Sequence, residues 1–503
     1  MASRRCCRRR IRAKCLSYRR SEWDSSSTNL GRERFASYLI RFQFTPHSSC
    51  SIVRNTIRGL ALIYDVEVHG YRSLLSAKIS LKPGLNVLVG ANGSGKTNLI
   101  NFFDFLTALL TDGVPSAFER AGGAAHAFSM ESMRDEEPTL QFTIRGTPQL
   151  GVTGVFRGAE EPRVPYTSYE YDCTIKYNKA LRVVFVARER VSLLGSGVVP
   201  FVVTRETVVS HSDQAASRVD FQTQDVDLYR YLGRIIYPKD DRAAGERLAA
   251  SVSPHWPLLA HLEHEHQIFA AVSLSLVSLA SINVRPEAAR RSTSISDLSM
   301  LRDDGAGLVS VLYRLKRGQY YPVNRRRFTT SIPQNNQRAI FKSILNWVSE
   351  VNPDITDIET SPNNDDATLS ADVLMNLDGQ QRKFAFRKIS DGTVKWLALV
   401  TALFAAPAYG AIEEPENFLD PRMQEIFVKL VRDRLISADR VFLVSTHSES
   451  LLNLCTPDEL LVFRFDRFGT TARRPNNQAE LRAVLKSSRF GLGHYYRVGA
   501  VDA

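Results

Sequence analysis

The chain has 503 residues with ordinary hydrophobic (44%) and charged (23%) shares, which excludes a wholly disordered protein and a single core and implies two or three compact units. Its net charge of +12 is concentrated at one end: residues 1–60 hold fourteen Lys/Arg against three Asp/Glu, leaving about +1 for the other 443 residues, so the basic balance is weak evidence for nucleic-acid binding by the body. Cys6, Cys7, Cys15 and Cys50 lie in that stretch, only Cys173 and Cys455 lie beyond it, and no paired CxxC spacing occurs, so the expectation is a reducing, cytoplasmic setting without disulfides.

In chain order, residues 1–60 read as a disordered basic leader or a stretch before a mis-assigned start, although an Arg- and Ser-rich, acid-poor beginning is also that of a transit peptide. Ordered structure is expected from about Ile63. Asp65–Leu74 and Ala77–Leu81 alternate apolar and polar residues, Pro83-Gly84 makes a turn, and Leu85–Val89 reads as a short buried strand. Asn98–Leu110 follows as a helix closed by Asp112-Gly113, and residues 115–205 read as strands and turns. From about 206 to 385 the pattern is mixed and more helical, without heptads or internal repeats. From Phe384 a compact α/β pattern returns. Ile268–Ile282 is too short and serine-rich for a membrane span, and Leu397–Ile412 is interrupted by Pro407, so no span is expected.

The strongest chemical signal is Gly90-Ala91-Asn92-Gly93-Ser94-Gly95-Lys96-Thr97, which fits GxxxxGK[ST] between a buried strand and a helix. Glycines let the backbone wrap phosphate oxygens, the helix start offers free N–H groups and a positive dipole end, Lys96 adds a charge near the β/γ-phosphates, and the Thr97 hydroxyl is placed for Mg²⁺. Further on, Ala411–Glu416 ends an apolar segment in carboxylates. Successive acids at a strand tip face opposite ways, so one can hold Mg²⁺ while the other activates water, with Glu416 the next acid available. Asp420-Pro421 is a good helix cap and first helical residue. A second buried strand, Val441–Val444, ends in Ser445-Thr446-His447-Ser448, and Ser390-Asp391-Gly392-Thr393 precedes a helical run.

Taken in order, this set resembles the ABC ATPase superfamily, in particular its RecF/SMC-like branch. Asn92 fits that branch's phosphate loop. Ser390–Thr393 resembles the signature loop, Glu413-Glu414-Pro415-Glu416 the second acidic motif, Leu419-Asp420-Pro421 the D-loop, and Thr446-His447-Ser448 the switch histidine. Leu301-Arg302-Asp303-Asp304-Gly305 resembles an element in the lobe of RecF-like ATPases. The resemblance implies an α/β fold: an ABC-type P-loop NTPase head with a mixed sheet and an inserted, mostly helical lobe. The chain would divide into a leader (1–60), the first half of the head (61–205), the lobe (206–385) and the second half of the head (386–503). ATP and Mg²⁺ are the implied cofactors. Gly90 to Thr97, Asn98, Ser390, Gly392 and Asp420 would contact nucleotide, Thr97 and Glu413 the metal, with Glu414 as general base and His447 at the γ-phosphate. Two heads would sandwich nucleotide in an ATP-dependent homodimer. The acid at the metal position is Glu rather than the usual Asp, as in OLD relatives, and the Q-loop glutamine has no clear counterpart; Gln141 is a candidate by order alone.

The 56 residues after His447 are too few for an OLD-type nuclease domain, and the lobe lacks SMC coiled-coil arms. Three readings remain: a DNA maintenance or repair ATPase, a defence ATPase gating a separate effector protein, and a nucleotide-dependent scaffold with little turnover. Arg314, Lys316, Arg317, Arg325, Arg326 and Arg327, with Tyr320, Tyr321 and Phe328 nearby, could track the phosphates of double-stranded DNA, or form a solvated basic face.

Overall fold

In the computed structural model, the described residues are 62–148, 167–195, 198–209, 215–222, 241–265, 267–296, 301–319, 334–363, 366–405, 409–436 and 440–501. The expected leader, 1–60, therefore lies outside them, as do Arg325, Arg326 and Arg327.

A six-stranded sheet organises the head, in the order Gly469–Arg473, Leu460–Asp466, Gly84–Gly90, Val441–Ser445, Tyr409–Glu413 and Ala280–Ile282. Five strands are parallel and Gly469–Arg473 runs antiparallel at one edge. Parallel strands covered on both faces need apolar residues throughout, which is why Val441–Ser445 is buried at every position. Alternate side chains feed two separate cores. Leu88, Leu443 and Phe463 face one; Val87, Val89, Phe442 and Val444 face the other.

The first core is closed by the helix Lys96–Arg120 and a seven-stranded antiparallel sheet, ordered Leu74–Ser80, Leu62–Tyr71, Thr139–Thr147, Ser168–Asn178, Val183–Gly195, Val198–Val209, Ala215–Gln222. Tyr71, Phe102, Phe105 and Phe142 pack edge-on or tilted between them, with ring centroids 5.4–5.6 Å apart. The helix continues beyond its expected end at Asp112-Gly113. Gly113 takes a left-handed conformation (φ 84°) at a kink, and helical geometry resumes to Arg120.

The second core lies under the helices Leu308–Arg317, Gln334–Val351, Asp391–Ala405 and Pro421–Ile436. Trp396, fully buried there, donates its indole N–H to the Trp347 carbonyl at 3.0 Å. A four-stranded sheet, Thr293–Ser294, Ile355–Asn363, Thr368–Leu377 and Gln380–Ala385, packs beside these helices, so the lobe mixes both kinds of structure. Ala280–Ile282 sits within the span expected as lobe, yet is an edge strand of the central sheet, paired to Tyr409–Glu413. No helix among the described residues is long and apolar enough to cross a membrane.

Candidate functional site

Four loops meet at the carboxyl ends of the central parallel strands. The strand Gly84–Gly90 delivers the loop Ala91–Gly95, and the helix starts at Lys96. Gly95 has φ 104°, and a side chain there would overlap Thr470, so only glycine fits. Lys96 is nearly buried. Its ammonium donates to the carbonyls of Gly90 (2.9 Å) and Ala91 (3.1 Å). Burial pulls its pKa below the ordinary lysine value, against the opposing charges of Glu414 and Glu413. Asn98 reaches sideways and donates to Ser73 Oγ at 2.7 Å, fastening the helix start to the turn after Tyr71.

Two sheet positions away, Tyr409–Glu413 ends in the acids. Glu413 is turned inward beside Thr97, whose hydroxyl favours its carboxylate, and its Oε1 is buried without a hydrogen-bond partner. Burial first, then the charges of Asp104 and Glu414, raises its pKa; Thr97 and Lys96 act the other way. An orphaned carboxylate oxygen beside a hydroxyl is a fitting donor pair for a hard divalent cation. Glu414 is partly exposed and adopts a left-handed conformation (φ 43°, ψ 56°), an uncommon one for a residue with a side chain. Its N–H donates to Ser445 O (2.9 Å), and Asn417 Nδ2 donates to its Oε2 (2.9 Å). His447 Nε2 lies 4.0 Å from Glu414 Oε1.

Glu416, weighed above as a substitute base, is engaged elsewhere. Its Oε1 accepts from Thr446 Oγ1 (2.7 Å), His447 N (2.7 Å) and Ser448 N (3.1 Å), clasping the loop that carries His447. Asp420 Oδ1 caps the helix Pro421–Ile436 by accepting from Met423 N (2.9 Å). Gln424 on that helix accepts from Ser448 Oγ at 3.0 Å, tying the two loops together. Ser390 and Gly392 sit at the exposed start of Asp391–Ala405. Ser390 Oγ pairs with Thr393 Oγ1 at 2.8 Å, and Lys395 lies over the Phe418 ring.

Residues 65–178 match the family model described as "AAA domain", and residues 216–453 match the one described as "AAA domain, putative AbiEii toxin, Type IV TA system". The DNA replication and repair protein RecF of Nocardioides sp. is 39% identical over 54 residues, which is 11% of this chain and only 13% of that protein. Among solved structures, the SMC head bound to the C-winged helix domain of ScpA has 12% identity and TM-score 0.38, covering 82% of this chain and 97% of the other. The SMC head domain from Thermotoga maritima has 12% identity and TM-score 0.32, covering 82% and 98%. The domain models decide the matter together with the strand–loop–helix geometry. The chain is a P-loop ATPase with AAA-type domains over residues 65–178 and 216–453.

Other expected residues fall differently. Gln141 is exposed in the middle of Thr139–Thr147, paired with His69 and Thr174 in the seven-stranded sheet. The segment that runs from the central sheet into the lobe is instead Ala280–Ile282 and the residues after it. There Ser281 donates from N (2.8 Å) and Oγ (2.6 Å) to Asp104 on the phosphate-loop helix. Asp104 carries no motif in the sequence, and only the helix register, seven residues past Thr97, could have flagged it. The Arg302–Asp304 element lines a cavity of about 550 Å³ with Arg72, Asp104 and Ser281. Of the basic cluster, Arg314 is buried, Lys316 pairs with Asp357 (2.6 Å), and Arg317 stacks on Tyr313 (4.0 Å). Burial withdraws Arg314 and pairing engages Lys316, while Arg317 stays exposed, so the cluster does not form one continuous solvated stripe.

Proposed function

We propose that the chain binds and hydrolyses ATP with Mg²⁺, closing as a homodimer around nucleotide, in the service of DNA maintenance or repair. The observation that carries the hydrolytic reading is the convergence of Lys96, Thr97, Glu413, Glu414 and His447 at the carboxyl ends of the central strands. The Lys96 ammonium exchanges two loop carbonyls for phosphate oxygens. Thr97 and Glu413 would hold Mg²⁺, which supplies charge neutralisation at the β- and γ-phosphates when bound. Glu414, reachable by solvent, takes the proton from the attacking water, and His447 meets the γ-phosphate. Ser390 and Gly392 present the start of their helix to the nucleotide of a second copy. A scaffold without turnover has no use for a base held in a strained conformation.

The RecF match supports the DNA reading. The description of the second domain model supports the alternative, a defence component gating a separate effector protein. Steady-state ATP turnover with and without double-stranded DNA tests both, with Lys96→Ala as the blank. Stimulation by DNA is expected for the repair reading. Turnover indifferent to DNA favours the protein partner, and turnover equal to that of Lys96→Ala refutes hydrolysis.

A further inference from the structure

Arg290 has no place in the motifs above, yet it is the side chain that grips the signature loop. It follows the edge strand Ala280–Ile282 and the short helix Pro286–Ala289. One terminal nitrogen lies 2.7 Å from Asp391 Oδ1, and the other donates to the Ile389 carbonyl. Its side chain is 18% exposed, whereas that of Asp391 is 67% exposed. The two contacts bracket Ser390.

The electrostatics give the grip a purpose. Asp391 opens the helix Asp391–Ala405, whose first turn has free N–H groups and the positive dipole end. In the reading proposed above, which this inference presupposes, that end meets the triphosphate bound on a second copy of the chain. A free carboxylate at its first position would face a polyanion across the interface, and like charges so placed oppose association. Arg290 cancels that charge and fixes the backbone on either side of Ser390. The arm bearing Arg290 is itself braced. Asn283 N and Arg285 N each donate at 2.9 Å, to Asp303 O and Asp304 O, and Ser281 is bonded to Asp104 on the phosphate-loop helix.

We infer that Arg290 is a positioning residue for the composite site: it neutralises Asp391 and sets the Ile389–Asp391 turn so that a second copy's nucleotide can dock there.

The test measures ATP-dependent self-association by light scattering in a Glu414→Gln parent, alongside the affinity of each variant for a fluorescent ATP analogue as monomer. Arg290→Ala should weaken self-association about tenfold while leaving monomer nucleotide affinity unchanged. Adding Asp391→Asn to Arg290→Ala should recover most of that loss, because no charge remains to be cancelled. Arg290→Lys, which keeps the charge but loses the two-pronged grip, should fall between. Self-association of Arg290→Ala equal to the parent's would overturn the inference while sparing the composite site. So would failure of Asp391→Asn to restore anything, or an equal fall in monomer nucleotide affinity, which marks a merely structural role. A parent that binds nucleotide without self-associating would refute the composite site itself, and this role for Arg290 with it.

Discussion

Glu413 and Glu414 are chain neighbours with opposite surroundings. One is turned into the protein against Thr97; the other is partly exposed beside His447. Glu414→Gln keeps the shape and removes the base, so ATP binding should persist while kcat falls at least about a hundredfold. Single-turnover hydrolysis beside equilibrium binding checks this, and normal turnover would place the base elsewhere. Glu413 gives a pH prediction. Its folded pKa is raised above 4.5, chiefly by burial. In the metal-free protein its contribution to stability is therefore full below 4.5 and lost as pH rises through the raised value. A divalent cation needs the anion, so the gain in melting temperature on adding MgCl₂ should grow as pH rises through that same value and vanish on acidification. Glu413→Gln should flatten the pH dependence, and a profile unaltered by that change would move the metal away from Glu413.

Among the elements, the large antiparallel sheet is joined to the helix Leu258–Glu265 by a buried polar cluster. Glu189, fully buried, accepts from Leu258 N (2.5 Å) and Leu259 N (2.9 Å) at the helix start and from Tyr171 Oη (3.0 Å). Arg205, also fully buried, donates to Trp256 O (2.7 Å) and Ser253 O (2.9 Å), and its charge favours the Glu189 anion. Glu189→Ala would strand two helix N–H groups and leave Arg205 without that anion. The expected loss is about 3 kcal/mol or more, read from urea unfolding followed by circular dichroism. A loss within about 0.5 kcal/mol, the range of an ordinary surface change, would show the cluster to be dispensable. Nothing local announces this cluster. Glu189 and Arg205 sit opposite each other on adjacent strands like any cross-strand pair, and only the packing of residues 253–259 against them buries the pair and supplies its remaining partners.

For the whole molecule, the described residues begin at Leu62, and each contact given for the candidate site is made among residues beyond that point. Removing those residues should leave ATP turnover within about twofold of the full chain, a change under 0.5 kcal/mol, as measured at saturating ATP. A larger loss would give the basic stretch a part in the cycle.

The sequence by itself determined the phosphate loop and the order of the motifs around it. Those signals are short and local: a glycine pattern, Lys-Thr, a pair of acids after an apolar run, a histidine after another. Their chemistry demands particular residue types at fixed spacing, so they survive without coordinates. The apolar runs also identified the buried strands Gly84–Gly90 and Val441–Ser445, since strands covered on both faces admit few polar residues. Tertiary structure decided the rest. It turned Glu416 from a spare base into the clasp of the His447 loop, and it made a three-residue edge strand out of Ala280–Ile282. It also withdrew Arg314 and Lys316 from the expected basic face and set Arg290 against Asp391, a hundred residues away in sequence. Burial and long-range pairing are properties of the folded sheet and its covering helices, and no window along the chain contains both partners.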